Sequence, residues 1–157
     1  MQLELKNIKH SARASEETHC YQASLYVNGK PVAIVSNDGQ GGADRVLPHG
    51  KFSPQLHNYT DAGGDYRSVM SKVDAYFASL PKTPYEQCLE FWCADQINDW
   101  LSARELKKKL KSGFLFQFAD KVGVFTHKTR PSRAHKAIIL NDLPFADALA
   151  IWKETAG

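Results

Sequence analysis

Between positions 36 and 45 the chain reads Ser36, Asn37, Asp38, Gly39, Gln40, Gly41, Gly42, Ala43, Asp44 and Arg45. Three glycines beside two aspartates indicate unusual backbone geometry, because glycine accepts positive φ and lets a backbone approach its neighbour closely. Successive N–H groups in such a loop can form a nest for phosphate, with Arg45 adding positive charge. The known templates fit badly. No Lys-Ser or Lys-Thr pair follows the glycines, no Gly-x-Gly-x-x-Gly opens a helix, and Asp38 and Asp44 would repel an anion. For calcium, Asn37, Asp38 and Asp44 offer oxygens, but the alternating acids and distal glutamate of an EF-hand are missing. Three readings stand: a structural turn, a macromolecular contact loop made of Asn37, Asp38, Gly39, Gly41, Gly42, Asp44 and Arg45, and a phosphate or nucleotide cradle at 39–45.

A second set of candidates is basic. Arg104, Lys107, Lys108, Lys109, Lys111, Lys128, Arg130, Arg133 and Lys136 lie in a stretch, 104–136, whose only acids are Glu105 and Asp120. The stretch carries a net +8 within a chain of net +3, so the remaining residues sum to −5. Lys107 and Lys111 are one helical turn apart and can grip a phosphate backbone together; a solvated helix face or an acidic protein partner are the competing readings. Phe114, Phe116 and Phe118 alternate along one strand face. They are expected in the core, with a base-stacking platform as the alternative.

The six histidines, His10, His19, His49, His57, His127 and His135, show no metal spacing, and neither His-x-x-x-His nor His-Glu-x-x-His occurs. The one constellation worth drawing joins His10, Ser11 and His19 to Asp38, and only the fold can bring these together. Cys20, Cys88 and Cys93 are odd in number, which argues against a disulfide framework. No catalytic residue, metal or cofactor is implied.

These residues depend on elements legible from periodicity. Leu3, Leu5 and Ile8 suggest a first strand. Tyr21, Ala23, Leu25 and Val27 then alternate with polar positions, Asn28-Gly29 signals a type I′ turn, and 31–35 return as the partner strand. Residues 46–64 show no sustained period and read as a long irregular connection. Val69, Val73, Phe77 and Leu80 share a helical face that Pro81 and Pro84 end. Leu89, Trp92, Cys93, Ile97, Trp100 and Leu101 form the stripe of a second helix. Ser102 to Glu105 has capping-box form, so either a new helix starts there or the second one continues to about Gly113. Phe114 to Phe118 form a strand, with Val122 and Val124 as its partner across a turn at 119–121. Residues 137–140 add another strand, and Asn141-Asp142 is expected to cap a closing helix with Phe145, Leu149 and Trp152 on one side. This order predicts an α+β fold, an antiparallel sheet from two hairpin regions covered on one face by three to four helices.

At 157 residues and 43% hydrophobic the chain suits one domain, 1–157, able to bury its own core. It comprises N-terminal strands and loop (1–45), helices (65–112), the second hairpin region (113–140) and the closing helix (142–155). No stretch is long and apolar enough for a membrane span, and the N-terminus lacks the layout of a secretory signal. The expectation is a cytoplasmic protein without membrane association, of undetermined oligomeric state.

Ser15-Glu16-Glu17-Thr18-His19-Cys20, Leu25-Tyr26-Val27-Asn28-Gly29-Lys30 and Ser36-Asn37-Asp38-Gly39-Gln40-Gly41-Gly42 together resemble a group of small uncharacterised phage and prophage accessory proteins. The segment from Leu140 to Leu149 is similar to their closing segment. The resemblance implies a context, the host-cell cytoplasm, and no activity or site residue. It leads to the expectation of a non-enzymatic protein that binds and modulates or inhibits a host protein or nucleoprotein, such as a nuclease or other defence component. The alternatives are phosphate or nucleotide binding at the glycine loop and nucleic-acid binding at 104–136.

Overall fold

The structure is a computed structural model that describes residues 1–50, 60–61, 64–81, 87–118, 123–130 and 137–155. His57, His135, Arg133, Lys136, Pro54, Pro84, Val122 and the turn expected at 119–121 lie outside the described residues. The chain divides into two compact units, Met1–Ile97 and Asn98–Gly157.

In the first unit, strands β1 (Leu3–His10), β2 (Tyr21–Val27), β3 (Lys30–Asn37) and β4 (Arg45–Pro48) form an antiparallel sheet in sequential order. The alternation read in β2 is the observed one: Tyr21, Ala23, Leu25 and Val27 are buried and the residues between them are not. Asn28 and Gly29 take φ of 49° and 79°, the positive pair that a type I′ turn requires. In β3 the period breaks, because the register shifts between Leu25↔Ala33 and Tyr26↔Pro31. This bulge accommodates Pro31, which has no N–H to give a ladder, and leaves Val32 and Ala33 both buried. A second irregularity interrupts β1 between Lys6 and Lys9, where Asn7 takes φ of 54°.

The expected irregular connection after the loop is corrected at its start, since Arg45–Pro48 pairs with β3 from Ser36↔Arg45 to Ala33↔Pro48. Its adjacent apolar residues hide the strand period: Leu47 is 59% exposed on the sheet edge while Val46 is half-buried. Two short strands, β5 (Thr60–Asp61) and β6 (Gly64–Asp65), pair with each other ahead of helix α1 (Tyr66–Ala78). Val73 and Phe77 of α1 are buried, as are Cys93 and Ile97 of helix α2 (Leu89–Ser112), which supplies residues 89–97 to this unit.

Helix α2 is continuous through Ser102, so of the two readings there continuation is the one observed. It ends at Gly113, whose N–H reaches the Lys109 carbonyl at 3.2 Å. In the second unit, β7 (Phe114–Phe118) lies between β8 (Phe125–His127) and β9 (Ala137–Ile139), both antiparallel to it. The described partner of β7 lies just beyond the expected Val124, with Phe116 opposite Phe125 and Phe114 opposite His127. Val124 instead packs on the core of Leu106, Leu115, Leu140, Ala148 and Trp152.

The closing helix α3 (Phe145–Thr155) starts later than the expected cap. Pro144 keeps the residue before it out of helical conformation, and Leu143 is extended at φ −90°, ψ 154°. Asn141 sits in a 3-10 turn and serves as a clamp. Its side chain accepts from the Leu115 N–H at 2.8 Å and donates to the carbonyls of Leu110 and Gly113 at 3.3 and 3.1 Å. Ala148 and Trp152 form the buried side of α3, whereas Phe145 is 37% exposed. The class is α+β, each hairpin region building its own sheet. Among the described residues no helix is long and apolar enough to cross a membrane.

Candidate functional site

An antiparallel meander places the β1–β2 and β3–β4 connections at the same end of the sheet, so the glycine loop meets residues 11–20. The Gly39 carbonyl accepts three N–H groups of that segment, from Glu16 and Glu17 at 2.9 Å and Thr18 at 3.3 Å. Gly39 has φ +89°, and a Cβ there would lie 2.1 Å from the Ala14 carbonyl oxygen and 2.9 Å from the Cys20 Cβ. Positive φ and close backbone approach thus coincide at this residue. Gly41, at φ +79°, lies against the carboxylate end of the flexible Glu17 side chain rather than against backbone.

Asn37 is the centre of the knot. It is 8% exposed, and its amide oxygen accepts from the Thr18 hydroxyl at 2.7 Å and the Gly39 N–H at 2.8 Å. Its amide nitrogen donates to the Gly42 carbonyl at 2.8 Å and to Asp44 Oδ1 at 3.0 Å. A buried amide must be satisfied, and this one uses both its oxygen and its nitrogen to close the loop. Asp44 Oδ2 in turn accepts from the buried Tyr21 hydroxyl. Burial, reinforced by that hydrogen bond, raises the Tyr21 pKa. Burial also pushes the Cys93 thiol up to about 12, with the Asp44 charge adding to it.

A phosphate nest needs unspent amides, and those of the loop are largely spent. Gly39 N–H goes to Asn37, Gln40 to Asp38 Oδ1 at 3.4 Å, Gly41 to the Thr18 hydroxyl at 3.4 Å and Asp44 to Glu90 at 3.4 Å. Arg45 faces Asp38 at 3.4 Å in an exposed pair. The cleft of about 290 Å³ beside the loop is lined by Asp44, Asp74 and Glu90, a sign of charge that disfavours anions. An adjoining cleft of about 330 Å³ shares Asp74, Cys88 and Leu89 with it.

His10 and His19 do meet, their rings 5.5 Å apart edge to face. The serine beside them is Ser15 rather than Ser11, at 3.3 Å from His10 Nε2. Its hydroxyl donates to the Ser11 carbonyl at 2.8 Å and accepts the Cys20 N–H at 2.9 Å. A nucleophile would have to direct that proton to the imidazole, so Ser15 is bound as a structural hydroxyl. Asp38 is turned to Arg45 and Gln40. Among the described residues no group of three or more His, Cys, Asp or Glu side chains is arranged to hold a metal.

The basic residues separate into two groups. Arg104, Lys107, Lys108, Lys109 and Lys111 lie on α2, with the Arg104 guanidinium 5.2 Å from the Trp100 ring and the Lys107 ammonium 5.0 Å from the Phe145 ring. Lys109 and Lys111 also complement the negative end of the helix dipole. Lys128 and Arg130 follow β8 and are exposed; Arg130 pairs with Asp142 and lies 5.9 Å from the Phe114 ring.

The phenylalanines require a correction. Leu115 is the fully buried residue of β7, and Phe114, Phe116 and Phe118 are only partly buried on the other face. They are gathered with Phe125: Phe116 lies 5.3 Å from Phe118 and 6.0 Å from Phe125, and Phe118 lies 5.8 Å from Phe125. Phe125 is 39% exposed. Strand alternation fixes this once Leu115 joins the helices' core, because its two neighbours must then point away.

Thr18, Tyr21, Glu90 and Cys93 belong to the knot without having been singled out as candidates. Only Thr18 carried a sequence signal, in its Ser-Glu-Glu-Thr context. Fold and loop together define the first unit as an antiparallel sheet whose end is closed by two interlocked connections. Compared with family models, curated proteins and solved structures, the chain matches none of them.

Proposed function

We infer that this is a non-enzymatic accessory protein that acts by binding a macromolecule, a host protein or nucleoprotein, through the outer surface of the glycine-loop knot. One observation carries the reading: the loop's polar interior is closed by Asn37, while Asp38, Gln40, Gly41, Gly42, Ala43 and Arg45 are all exposed. Exposed Glu16 and Glu17, hydrogen-bonded through their amides to Gly39, extend that surface. A surface held this firmly meets a partner with little ordering cost, which favours recognition of another folded molecule. The amides of Gly39, Gln40, Gly41 and Asp44 are committed internally, so the loop is better suited to being read from outside than to wrapping a small anion. The resemblance to phage accessory proteins supports a host component as the target, with inhibition or modulation of a defence nuclease as one form of the activity.

The test is affinity purification from host extract with wild-type protein and with Gln40→Arg and Ala43→Arg, whose side chains add bulk on the outside of the knot. The expected result is a stoichiometric partner that the wild type retains and the variants lose at unchanged melting temperature. Recovery of the same partner by all three proteins would overturn the assignment of the surface. Recovery of none across low and high salt would remove the reading.

A further inference from the structure

We propose that Asn28 is a site of self-modification, converting to aspartate and isoaspartate through a cyclic imide formed with Gly29. The chain has six asparagines, and only this one is followed by glycine. Both residues are exposed at the tip of the β2–β3 turn, and nothing lies within 4 Å of a Cβ added to Gly29. The Gly29 nitrogen is thus unhindered by a side chain, and an exposed turn tip opens at little cost. Hydrogen bonding points the same way. Asn28 Oδ1 accepts the Gln2 N–H at 3.0 Å, a donor placed where negative charge develops when the side-chain carbonyl is attacked. Neither Asn28 Nδ2 nor the Gly29 N–H has a hydrogen bond among the described residues, so leaving group and nucleophile are both uncommitted.

In the reaction the Gly29 nitrogen gives its proton to solvent base and bonds to Asn28 Cγ, while the Cγ–Nδ2 bond breaks and the amide nitrogen leaves as ammonia. Attack between adjacent residues of one chain needs no encounter. Water then opens the imide at either carbonyl. Opening at Cγ leaves aspartate, and opening at the main-chain carbon leaves isoaspartate, whose chain runs through Cγ. The net exchange is one amide and one water for one carboxylic acid and one ammonia. Aspartate still accepts the Gln2 N–H and tolerates positive φ. Isoaspartate adds a carbon to the main chain, which removes the positive-φ pair of the turn and loosens the Leu3↔Val27 register beside it. Two other asparagines show the contrast. Asn37 Nδ2 is held by Gly42 and Asp44 in a buried loop, and Asn141 Nδ2 by the carbonyls of Leu110 and Gly113. The meander places the β2–β3 turn at the other end of the sheet from the glycine loop, so the site is independent of the reading given to that loop.

The test is incubation of the folded, full-length protein at mildly alkaline pH, followed by ion exchange and peptide mass mapping. A species should accumulate whose net charge is one below the starting +3, with the amide-to-acid mass change confined to the peptide holding Asn28. Part of it should accept methyl groups from an isoaspartate methyltransferase used as the probe. Gly29→Ala should lower the rate at Asn28 to the level of Asn98 and Asn141 in the same sample. Asn28→Asp should give no such species and should melt with the fresh protein, whereas the isoaspartate fraction should melt below it. An Asn28 no faster than Asn98 and Asn141 would overturn the proposal, as would an unchanged rate in Gly29→Ala. So would reaction in the urea-unfolded chain with none in the folded protein, which would make the turn a protecting device. An isoaspartate fraction as stable as the fresh protein would overturn the loosening of the turn.

Discussion

The glycine-loop knot and the β7 sheet are built in opposite ways. In the glycine-loop knot the polar groups turn inward: Asn37 is buried with its amide bonded on both sides, and Gly39 has its carbonyl filled by three N–H groups. What faces outward is Gly41, Gly42 and the side chains of Asp38, Gln40, Ala43 and Arg45. On the β7 sheet half-buried phenylalanines lie on the face opposite Leu115, and it is Leu115 with the Asn141 clamp that fixes the strand from within. The first surface derives its shape from hydrogen bonds, the second from packing. Substitutions should therefore act on them by different mechanisms, through strain and lost partners in one case and through lost contact area in the other.

The largest effect is expected at Gly39. Alanine there meets both a positive φ of 89° and a carbonyl oxygen 2.1 Å from its Cβ. The cost should be about 3–4 kcal/mol in urea unfolding, because backbone rather than a flexible side chain must move. Gly29 separates the two causes. Its φ is +79°, but nothing lies within 4 Å of an added Cβ. Gly29→Ala should cost only about 1 kcal/mol, the left-handed penalty alone. Equal losses at the two sites would mean that the interlock with residues 11–20 contributes nothing beyond the turn.

Neighbouring residues on β7 sharpen the other half of the contrast. Leu115→Ala removes a side chain with no solvent exposure and should cost about 3 kcal/mol. Phe116→Ala removes a larger side chain, yet one only partly buried, and should cost about 1 kcal/mol or less. If the phenylalanine proves the costlier loss, the face carrying it is core.

The legibility of these regions from sequence follows the same physics. Strand β2 and its turn are readable, since period-two alternation and Asn28-Gly29 are local signals that the fold preserves. The later strands were read less well. In β7 the run Phe114-Leu115-Phe116 is apolar at every position, so periodicity cannot say which residues face the helices. In β4, Val46 and Leu47 pose the same ambiguity. Proline decided two boundaries by backbone restriction, at the β3 bulge and before α3, and only the second lay where a short-range rule alone would move the helix start. The glycine loop was recognised as unusual, but its cause is a contact with residues 14–18, which no local pattern encodes.

Beneath the knot lies a third way to distinguish the regions, by pH. Cys93 and Tyr21 are buried beside Asp44, and each is raised above its ordinary pKa, chiefly by burial. A raised acid keeps its proton in the folded state after the unfolded chain has released it. For Cys93 the window opens near 9.0, the ordinary value, and closes at about 12. Within it the unfolded state binds fewer protons than the folded one, so stability falls as pH rises, by up to about 1.4 kcal/mol per pH unit. Below that window both states hold the proton and stability no longer changes with the thiol's titration. Cys93→Ala should therefore flatten the decline in urea midpoint that begins near pH 9, leaving at higher pH the part due to Tyr21. Amide exchange over the same range should accelerate in β2 and β3 before β7 and β9, since the raised groups sit under the first sheet. An unchanged slope in Cys93→Ala would show that the thiol is not buried against the carboxylate.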